Sequence, residues 1–410
     1  MGQTFLTSVD IVRVRQLQNI RISLSEENRK YLIFTGINGC GKTFVLNSLF
    51  EFLGFLVSDN FYSREGIQNN FRLFSSILQN GSTEEEKCKV QQQKKGIEFG
   101  RERMCHWTDG AVASCTSFST LREKYVNGQF IIAYYKADRQ SKVEIPSTIE
   151  SIQLKDKYDL GETPGKKLVK YMVSLKATQA FALQKGDKKR SAEIDDWFNR
   201  FEGVLKKIFD DPTLHLDFDI DNFQFHILQD NREPFDFNTM SSGYSAVFDI
   251  ITDLMMRMER KNNYSTEGVV LIDEIETHLH LELQRAILPF LTELFPNIQF
   301  IVTTHSPFVL NSIDNAVIYD LETQKLVEDG LTNYPYDGIV EGYFHADKLS
   351  SDLRAKFSRY KDLVGKLELT DEDYAEIVEL EQVLDEIPDY LSSEIASEYS
   401  RLKLEFSNRR

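Results

Sequence analysis

Cysteine is scarce in this 410-residue chain, which has four. So few cysteines in so long a chain do not make a disulfide scaffold. Three residues near one another, Cys105, His106 and Cys115, are conceivable metal ligands. Their spacing matches no paired zinc motif, and a fourth ligand is missing. The sequence therefore predicts neither a disulfide framework nor a zinc site.

Long apolar runs are also missing. The densest apolar stretch, residues 46–57, is shorter than the roughly 18 residues of a membrane span and is interrupted by Asn47 and Glu51. The N-terminus, Met1-Gly2-Gln3-Thr4, has neither the basic start nor the apolar stretch of a signal peptide. We therefore expect a soluble cytoplasmic protein with no membrane partner.

Basic residues are outnumbered, because 48 Lys and Arg stand against 64 Asp and Glu, which gives a net charge of −16. This balance excludes a uniformly basic nucleic-acid coat, although charge segregation can still leave a local basic patch. Apolar residues make up 41% of the chain, enough for a real core, which excludes a wholly disordered protein.

A glycine-rich loop follows a continuous apolar run at residues 31–34, the pattern of a buried parallel strand. Two of its glycines, separated by four residues and followed by Lys and Thr, fit the phosphate-loop pattern. Such glycines let backbone N–H groups cradle phosphate oxygens at a helix N-terminus. Lys42 supplies a charge to the β- and γ-phosphates, and Thr43 a hydroxyl ligand for Mg²⁺. The predicted nucleotide-binding residues of the loop are Gly36, Asn38, Gly39, Cys40, Gly41, Lys42, Thr43 and Phe44.

Two acids end a second apolar strand, residues 268–272. Ligands of parallel sheets lie beyond the carboxyl ends of the strands, so Asp273 and Glu274 are expected to face the phosphates. Asp273 would hold Mg²⁺ through water, and Glu274 would position and polarise the attacking water.

Further motifs resemble those of ABC-type ATPases of the SMC, RecF and OLD group. The loop has the Gly-x-Asn-Gly-x-Gly-Lys-Thr form found there, and residues 240–245, Met-Ser-Ser-Gly-Tyr-Ser, resemble the signature motif, normally Leu-Ser-Gly-Gly-Gln. Ser242 replaces a glycine and Tyr244 replaces the glutamine. The resemblance covers residues 1–50 and 235–320.

Three shorter segments resemble other motifs of this group. Residues 276–280 are similar to the D-loop, residues 304–307 to the switch-histidine motif, and residues 137–140 to the Q-loop region. Within the first of them, His278 and His280 are expected to be helix-start residues without a catalytic role.

The resemblance implies that two protomers sandwich two ATP molecules head to tail. Ser241 and Gly243 would contact the γ-phosphate held by the partner's phosphate loop, and His305 would sense the γ-phosphate. The implied cofactors are ATP and Mg²⁺, the implied metal ligands are Thr43, Asp273 and Gln140, and the implied catalytic residues are Glu274, His305 and Lys42.

The implied fold class is α/β, a P-loop ABC-type ATPase head with a mixed or parallel sheet, a helical insertion lobe and a helical C-terminal cap. The predicted parts are residues 1–54 (the first part of the head), 55–238 (the insertion, with a Q-loop strand near 129–140), 239–325 (the second part of the head) and 326–410 (an acidic helical region).

An ATPase of this kind, without a further effector domain, resembles the ATPase subunits of bacterial anti-phage systems. Examples are the PtuA family of Septu and retron modules and the AriA family of PARIS. The OLD nucleases continue into a nuclease domain, which we expect to be absent because no strand ending in clustered acids follows His305. The resemblance therefore implies an ATPase that controls a separate effector, a nuclease or toxin. The twelve acids of residues 368–398, with no Lys or Arg among them, favour either docking of a basic partner or an ordinary solvated helical surface.

An alternative is a RecF- or SMC-like DNA-repair ATPase that clamps duplex DNA directly. Residues 151–190 contain ten Lys and Arg against four Asp and Glu, which indicates either a nucleic-acid contact or a solvated helical face. A scaffold that binds ATP without hydrolysing it is a third hypothesis, which the presence of Glu274 disfavours.

Overall fold

The computed structural model describes residues 2–58, 110–139, 142–261, 264–339, 351–366, 368–385 and 393–408. The chain divides into two compact units, Met1–Asn333 and Tyr334–Arg410. None of the described helices is both long and apolar enough to cross a membrane.

Strands and helices are interspersed along the first unit, and helices make up the second. The strands are β1 (Leu6–Val14), β2 (Leu17–Ser23), β3 (Tyr31–Thr35), β4 (Ala111–Cys115), β5 (Phe130–Tyr135), β6 (His215–Asp219), β7 (Gln224–Leu228), β8 (Glu267–Ile272), β9 (Ile298–Thr303), β10 (Ala316–Asp320) and β11 (Leu326–Val327). The helices are α1 (Lys42–Val57), α2 (Phe118–Val126), α3 (Leu168–Gln184), α4 (Lys188–Phe209), α5 (Ser242–Glu259), α6 (Leu281–Leu294), α7 (Pro307–Leu310), α8 (Tyr336–Gly338), α9 (Ser351–Val364), α10 (Asp371–Asp385) and α11 (Ser393–Ser407), with a short 3₁₀ helix at Pro164–Lys167.

The central sheet of the first unit has, among the described residues, the strand order β11-β10-β3-β9-β8-β5. Neighbouring strands from β10 to β5 are parallel, and β11 is an antiparallel edge strand. Every position of β3, β9 and β10 is buried. Such strands are covered on both faces, which is why they have continuous rather than alternating apolar runs.

A second, antiparallel sheet has the order β2-β1-β4. Its buried side chains join those of α1 and of the central sheet in one cluster, which contains Ile11 of β1, Leu49 and Phe52 of α1, Phe34 of β3 and Leu271 of β8. Helix α1, which begins at the glycine-rich loop, is therefore fixed against both sheets.

Helices α3 and α4 follow one another closely and pack through aromatic residues. The Trp197 ring of α4 meets the Tyr171 ring of α3 edge to face, with centroids 5.6 Å apart. Helix α4 buries residues at the spacing of three and four that one helix face requires, Ile194, Trp197, Phe201, Leu205 and Ile208.

The C-terminal unit has its own small core, which contains Tyr360, Leu363 and Ile377. Around it, basic side chains pair with the acidic helix α10, and Lys366 lies 2.7 Å from Asp373. The hydrogen bond from Lys366 lowers the pKa of Asp373 to about 2. The predicted acidic surface is therefore partly neutralised within this unit.

The sheet topology confirms the expected fold class: a mixed, mainly parallel sheet with a phosphate-loop strand inside it, helices between its strands, and a helical C-terminal region. The division into four parts stays a prediction. Strands β4 and β5, both within residues 55–238, belong to the two sheets of the first unit.

A glycine at the contact of β5 and β8 gives a test of this packing. A Cβ atom at Gly268 would lie 2.5 Å from the carbonyl oxygen of Ile131, whereas one at Gly203, within α4, would meet nothing within 4 Å. We expect Gly268→Ala to destabilise the protein by about 1–3 kcal/mol through overpacking. Gly203→Ala should stabilise it by about 0.5–1 kcal/mol, because alanine favours a helix interior. Thermal unfolding measures the predicted loss of stability in Gly268→Ala and the predicted gain in Gly203→Ala. A Gly268→Ala protein as stable as the parent would contradict the close contact between β5 and β8.

Candidate functional site

The parallel register brings three strand ends to one edge of the sheet. Phe34 of β3 pairs with Thr303 of β9, and Ile272 of β8 pairs with Val302 of β9. The segments after these strands therefore leave the same edge side by side. They are the glycine-rich loop, the residues around His305 and the Asp273-Glu274 pair, and ligands of parallel sheets lie beyond this edge.

The glycine-rich loop has the backbone that a phosphate cradle needs. Gly36, Gly39 and Gly41 have φ values of 126°, 85° and 111°, in the region that favours glycine. Gly41 is the N-cap of α1 and offers no side-chain cap, so the first N–H groups of the helix are available to an anion. The Lys42 ammonium group is buried and donates to the carbonyl oxygens of Gly36 and Ile37, at 2.9 and 3.0 Å.

The remaining loop residues divide by exposure. Asn38, Thr43 and Phe44 are exposed, whereas Cys40 is buried. Burial raises the pKa of the Cys40 thiol, and Lys42 opposes this rise. The Thr43 hydroxyl is thus open to a ligand, and the Cys40 side chain belongs to the support of the loop.

The turn between β1 and β2 contributes residues that the sequence did not single out. The Arg15 guanidinium lies 3.3 Å from the centroid of the Phe44 ring, and the Gln16 amide donates to the carbonyl oxygen of Cys40 at 2.9 Å. No local motif marks these two residues, because they reach the loop only through tertiary packing.

A buried threonine fixes the acidic pair. The Thr303 hydroxyl donates to Asp273 Oδ1 at 2.6 Å and accepts from the Glu274 N–H at 2.7 Å. Asp273 is buried, and Glu274 has a φ of 44°, a left-handed conformation that side-chain-bearing residues rarely adopt. The Thr277 hydroxyl donates to Glu274 Oε2 at 3.1 Å. Both carboxylates are therefore held at defined positions before any ligand binds.

His305 lies beside these acids with one ring nitrogen free. Its Nε2 atom is buried without a hydrogen-bond partner among the described residues, while its backbone N–H donates to the Glu276 carboxylate. Burial and the nearby Lys42 charge lower the pKa of His305 below its ordinary value. The imidazole is therefore neutral at pH 7 and has a polar atom without a partner, as a residue awaiting a ligand would.

The signature segment begins helix α5. Ser241 is the N-cap, its side chain makes no cap hydrogen bond, and both Ser241 and Ser242 are exposed. Gly243 is required by a close approach, since a Cβ atom there would lie 2.7 Å from the carbonyl oxygen of His278. The start of α5 is thus exposed at Ser241 and Ser242, while Gly243 in its first turn rests on the segment 276–280.

Tyr244, which stands where the signature motif normally has a glutamine, is a packing residue. Its ring stacks on Phe209 with centroids 4.3 Å apart and meets the His280 ring edge to face. His280 itself is the N-cap of α6, where its Nδ1 atom accepts from the N–H of Leu283 at 3.3 Å.

Some of the residues considered as metal ligands lie beyond the described part of the chain. Gln140, the expected third metal ligand, lies outside the described residues, as do Cys105 and His106. Arg139, immediately before Gln140, lies at the site and donates to backbone carbonyl oxygens of Asp273 and Ile275.

The residues present fit a nucleoside triphosphate with Mg²⁺. Three glycines with positive φ open the loop N–H groups, Lys42 supplies the cation, and an exposed hydroxyl and a buried carboxylate, Thr43 and Asp273, are oxygen ligands of the kind that Mg²⁺ prefers. Glu274 and the free nitrogen of His305 lie beside them. Such an arrangement can hold a triphosphate, orient a water molecule and meet the terminal phosphate with a neutral donor.

Fold and site together define the class: an α/β fold with a phosphate-loop site for a nucleoside triphosphate. Residues 128–311 match the AAA_21 family model, described as "AAA domain, putative AbiEii toxin, Type IV TA system". The chain is 35% identical over 156 residues to Septu protein PtuA of Bacillus mycoides (strain KBAB4), a match that spans 35% of this chain and 22% of that protein. It is 36% identical over 143 residues to the Retron Ec83 probable ATPase of Escherichia coli, spanning 33% of this chain and 26% of that protein.

The chain thus spans only about a quarter of the length of the curated relatives that it matches. Among solved structures, the chain is similar to an SMC head bound to the C-winged helix domain of ScpA, with 12% sequence identity and a TM-score of 0.39. The match covers 81% of this chain and 100% of that chain. The SMC head domain from Thermotoga maritima is similar with 11% identity, 77% and 94% coverage, and a TM-score of 0.35.

The His305 environment gives a test of the assembled site that needs no nucleotide. We expect its imidazole to titrate below pH 6.5, with a higher midpoint in Lys42→Met, where the repelling cation is gone, and a lower one in Glu274→Gln. Lys30→Met is the matched control, because Lys30 precedes β3 and pairs with Asp329 instead. Side-chain NMR of the histidines measures these midpoints, and equal shifts in the Lys30 and Lys42 variants would contradict the assembly.

Proposed function

We propose that this chain is an ATP-hydrolysing subunit that forms nucleotide-sandwich dimers and controls a separate effector in a bacterial anti-phage defence system. One observation carries the proposal: the register of β3, β9 and β8 gathers Lys42, His305 and the Asp273-Glu274 pair at one sheet edge. The names of the relatives, Septu PtuA and retron ATPase, supply the biological setting.

Each residue has a role that its surroundings support. The N–H groups of the glycine loop bind phosphate oxygens, and Lys42 turns from its loop carbonyls to the β- and γ-phosphates. Bound Mg²⁺ would supply charge neutralisation, held by Thr43 and Asp273. Glu274 orients the attacking water and accepts its proton. Neutral His305 donates to the terminal phosphate through Nε2.

The signature segment supports a dimer. The N-terminus of α5 is exposed, with Ser241 and Ser242 at the surface, and its uncapped N–H groups suit an anion. In the dimer, Ser241 and Gly243 contact the γ-phosphate bound to the partner's loop. Each composite site then needs both protomers, so nucleotide binding drives association.

The defence role follows from this coupling. Because ATP holds the assembly together, hydrolysis or loss of the nucleotide releases the effector, which we take to be a nuclease or toxin on a separate chain. The protein then acts in the cytoplasm, where ATP and invading DNA are both present. The partly neutralised acidic helix α10 offers a docking surface for a basic region of that effector.

Substitutions at the site test whether the protein binds and hydrolyses ATP as proposed. Glu274→Gln should retain ATP binding and lower the rate of phosphate release about 10²–10⁴-fold, because the general base is lost. Lys42→Ala should lose ATP binding itself. Glu282→Gln, which changes an exposed acid at the start of α6, is the matched control. Phosphate release and light scattering with ATP measure turnover and assembly. The proposal fails if Lys42→Ala and Glu274→Gln leave turnover, assembly and phage protection unchanged.

The same Glu274→Gln protein identifies the partner. Purified by a tag from its native locus with ATP present, it should retain a stoichiometric nuclease or toxin chain. Recovery of duplex DNA without a protein partner would instead support a DNA-repair clamp.

That second candidate rests on the basic segment of the insertion. Lys188 and Lys189 are exposed at the start of α4. A second pair of lysines in this segment, Lys166 and Lys167, precedes α3. The 17 residues of α3, roughly 25 Å, therefore separate the two pairs. Nearby basic residues are neutralised internally, as where Lys170 pairs with two glutamates. Within residues 151–190, the geometry therefore offers two separate contacts rather than one continuous basic patch.

DNA binding as a function of salt tests this candidate. If both lysine pairs contact phosphates, neutralising either pair should weaken duplex binding and reduce the salt slope by about 2. Fluorescence anisotropy at several salt concentrations measures the slope. No binding at low salt, or slopes unchanged in both double variants, would exclude the clamp.

A further inference from the structure

Arg139 makes an unusual set of contacts beside the site. The residue is 7% exposed. Its Nη1 atom donates to the carbonyl oxygens of Lys136 and Asp273 at 3.1 and 2.9 Å, and its Nη2 atom to those of Glu274 and Ile275 at 3.2 and 2.8 Å. One guanidinium thus holds three successive carbonyls after β8 together with one carbonyl after β5.

The turn that it holds is the one that aims Glu274. Glu274 has a left-handed backbone conformation, with a φ of 44°. This conformation is unfavourable for an L-amino acid and persists only where the surrounding structure enforces it. On one side, Thr303 accepts from the Glu274 N–H and the Ile275 N–H donates to the Thr303 carbonyl. On the other side, Arg139 binds the carbonyl oxygens. The conformation is therefore enforced from both neighbouring strands.

Charge keeps the guanidinium in place. Burial lowers the pKa of Arg139, and the carboxylates of Asp249, Glu276, Asp273 and Glu274 oppose this shift, so the side chain stays protonated at neutral pH. Lysine cannot replace it, since a single ammonium group does not match the planar fork that reaches four carbonyls.

We propose that Arg139 is a positioning residue for Glu274, which it holds in the conformation that meets the attacking water. This inference rests on the proposed hydrolysis. It also makes the segment that follows β5 part of the hydrolytic machinery, because Arg139 ties the end of β5 to the turn after β8.

The kinetic test compares two buried arginines. Arg139→Ala should lower kcat about 10²-fold with KM for ATP unchanged within about 2-fold, because a displaced base loses rate without losing binding. Arg139→Lys should be impaired to a similar degree. Arg257→Ala is the matched control, since Arg257 is similarly buried but pairs with Asp253 in α5. It should lower thermal stability and leave kcat of the folded protein unchanged.

Chemical rescue separates positioning from folding. Arg139 lines an open cavity together with Lys136 and Asp249, so guanidinium at low millimolar concentration can enter the space that Arg139→Ala leaves. It should restore kcat at least 5-fold, whereas sodium chloride at equal ionic strength should not. A loss of kcat equal to that of Arg257→Ala, a rise in KM, or no rescue would overturn the proposal.

Hydrogen exchange keeps this proposal distinct from the proposed function. In nucleotide-free protein, the amides of Glu274 and Thr277 should exchange at least 10-fold faster in Arg139→Ala than in Arg257→Ala, with the phosphate loop unaffected. A parent protein without ATP hydrolysis would refute the proposed function. Unchanged exchange at this turn would refute the role of Arg139 whatever the hydrolysis rate.

Discussion

Parallel pairing of β9 with both β3 and β8 is the constraint on which the site depends. The glycine-rich loop and the acidic pair follow β3 and β8, which are not neighbours in the sheet. Strand β9 lies between them and fixes their register along the strand direction through the Phe34–Thr303 and Ile272–Val302 pairs. Thr303 completes this alignment with a side-chain bond to Asp273. A shift of one residue in β9 would turn its side chains to opposite faces and separate the three strand ends.

Burial of polar groups at this edge explains both why the turn at Glu274 is fixed and why His305 is available to bind a ligand. In a low-dielectric environment, hydrogen bonds to carboxylates and carbonyls are strong, and an unpartnered polar atom is costly. The hydrogen bonds of Thr303 and Arg139 to the backbone of Glu274 are strong for this reason and fix the turn. The buried Nε2 atom of His305 shows the second, because the fold leaves it without a partner among the described residues. A ligand with an oxygen at that point would relieve this cost.

Packing explains two positions of the signature segment, one that departs from the usual motif and one that matches it. Tyr244, in place of a glutamine, stacks on Phe209 and meets His280 edge to face. It so joins the start of α5 to the ends of α4 and of the 276–280 segment. Gly243, in contrast, keeps the family residue because no Cβ atom fits against the His278 carbonyl.

The sequence by itself predicted the buried strands, the phosphate loop and the acidic pair from local residue patterns: continuous apolar runs, spaced glycines and charges at strand ends. It predicted the fold class through the resemblance that its motifs carry. Only the tertiary structure decided that Arg15 would lie on Phe44, that Thr303 would bind Asp273, and that Arg139 would hold the turn at Glu274. These pairs are far apart in the chain, and their contacts arise from strand order and register, which no local pattern specifies.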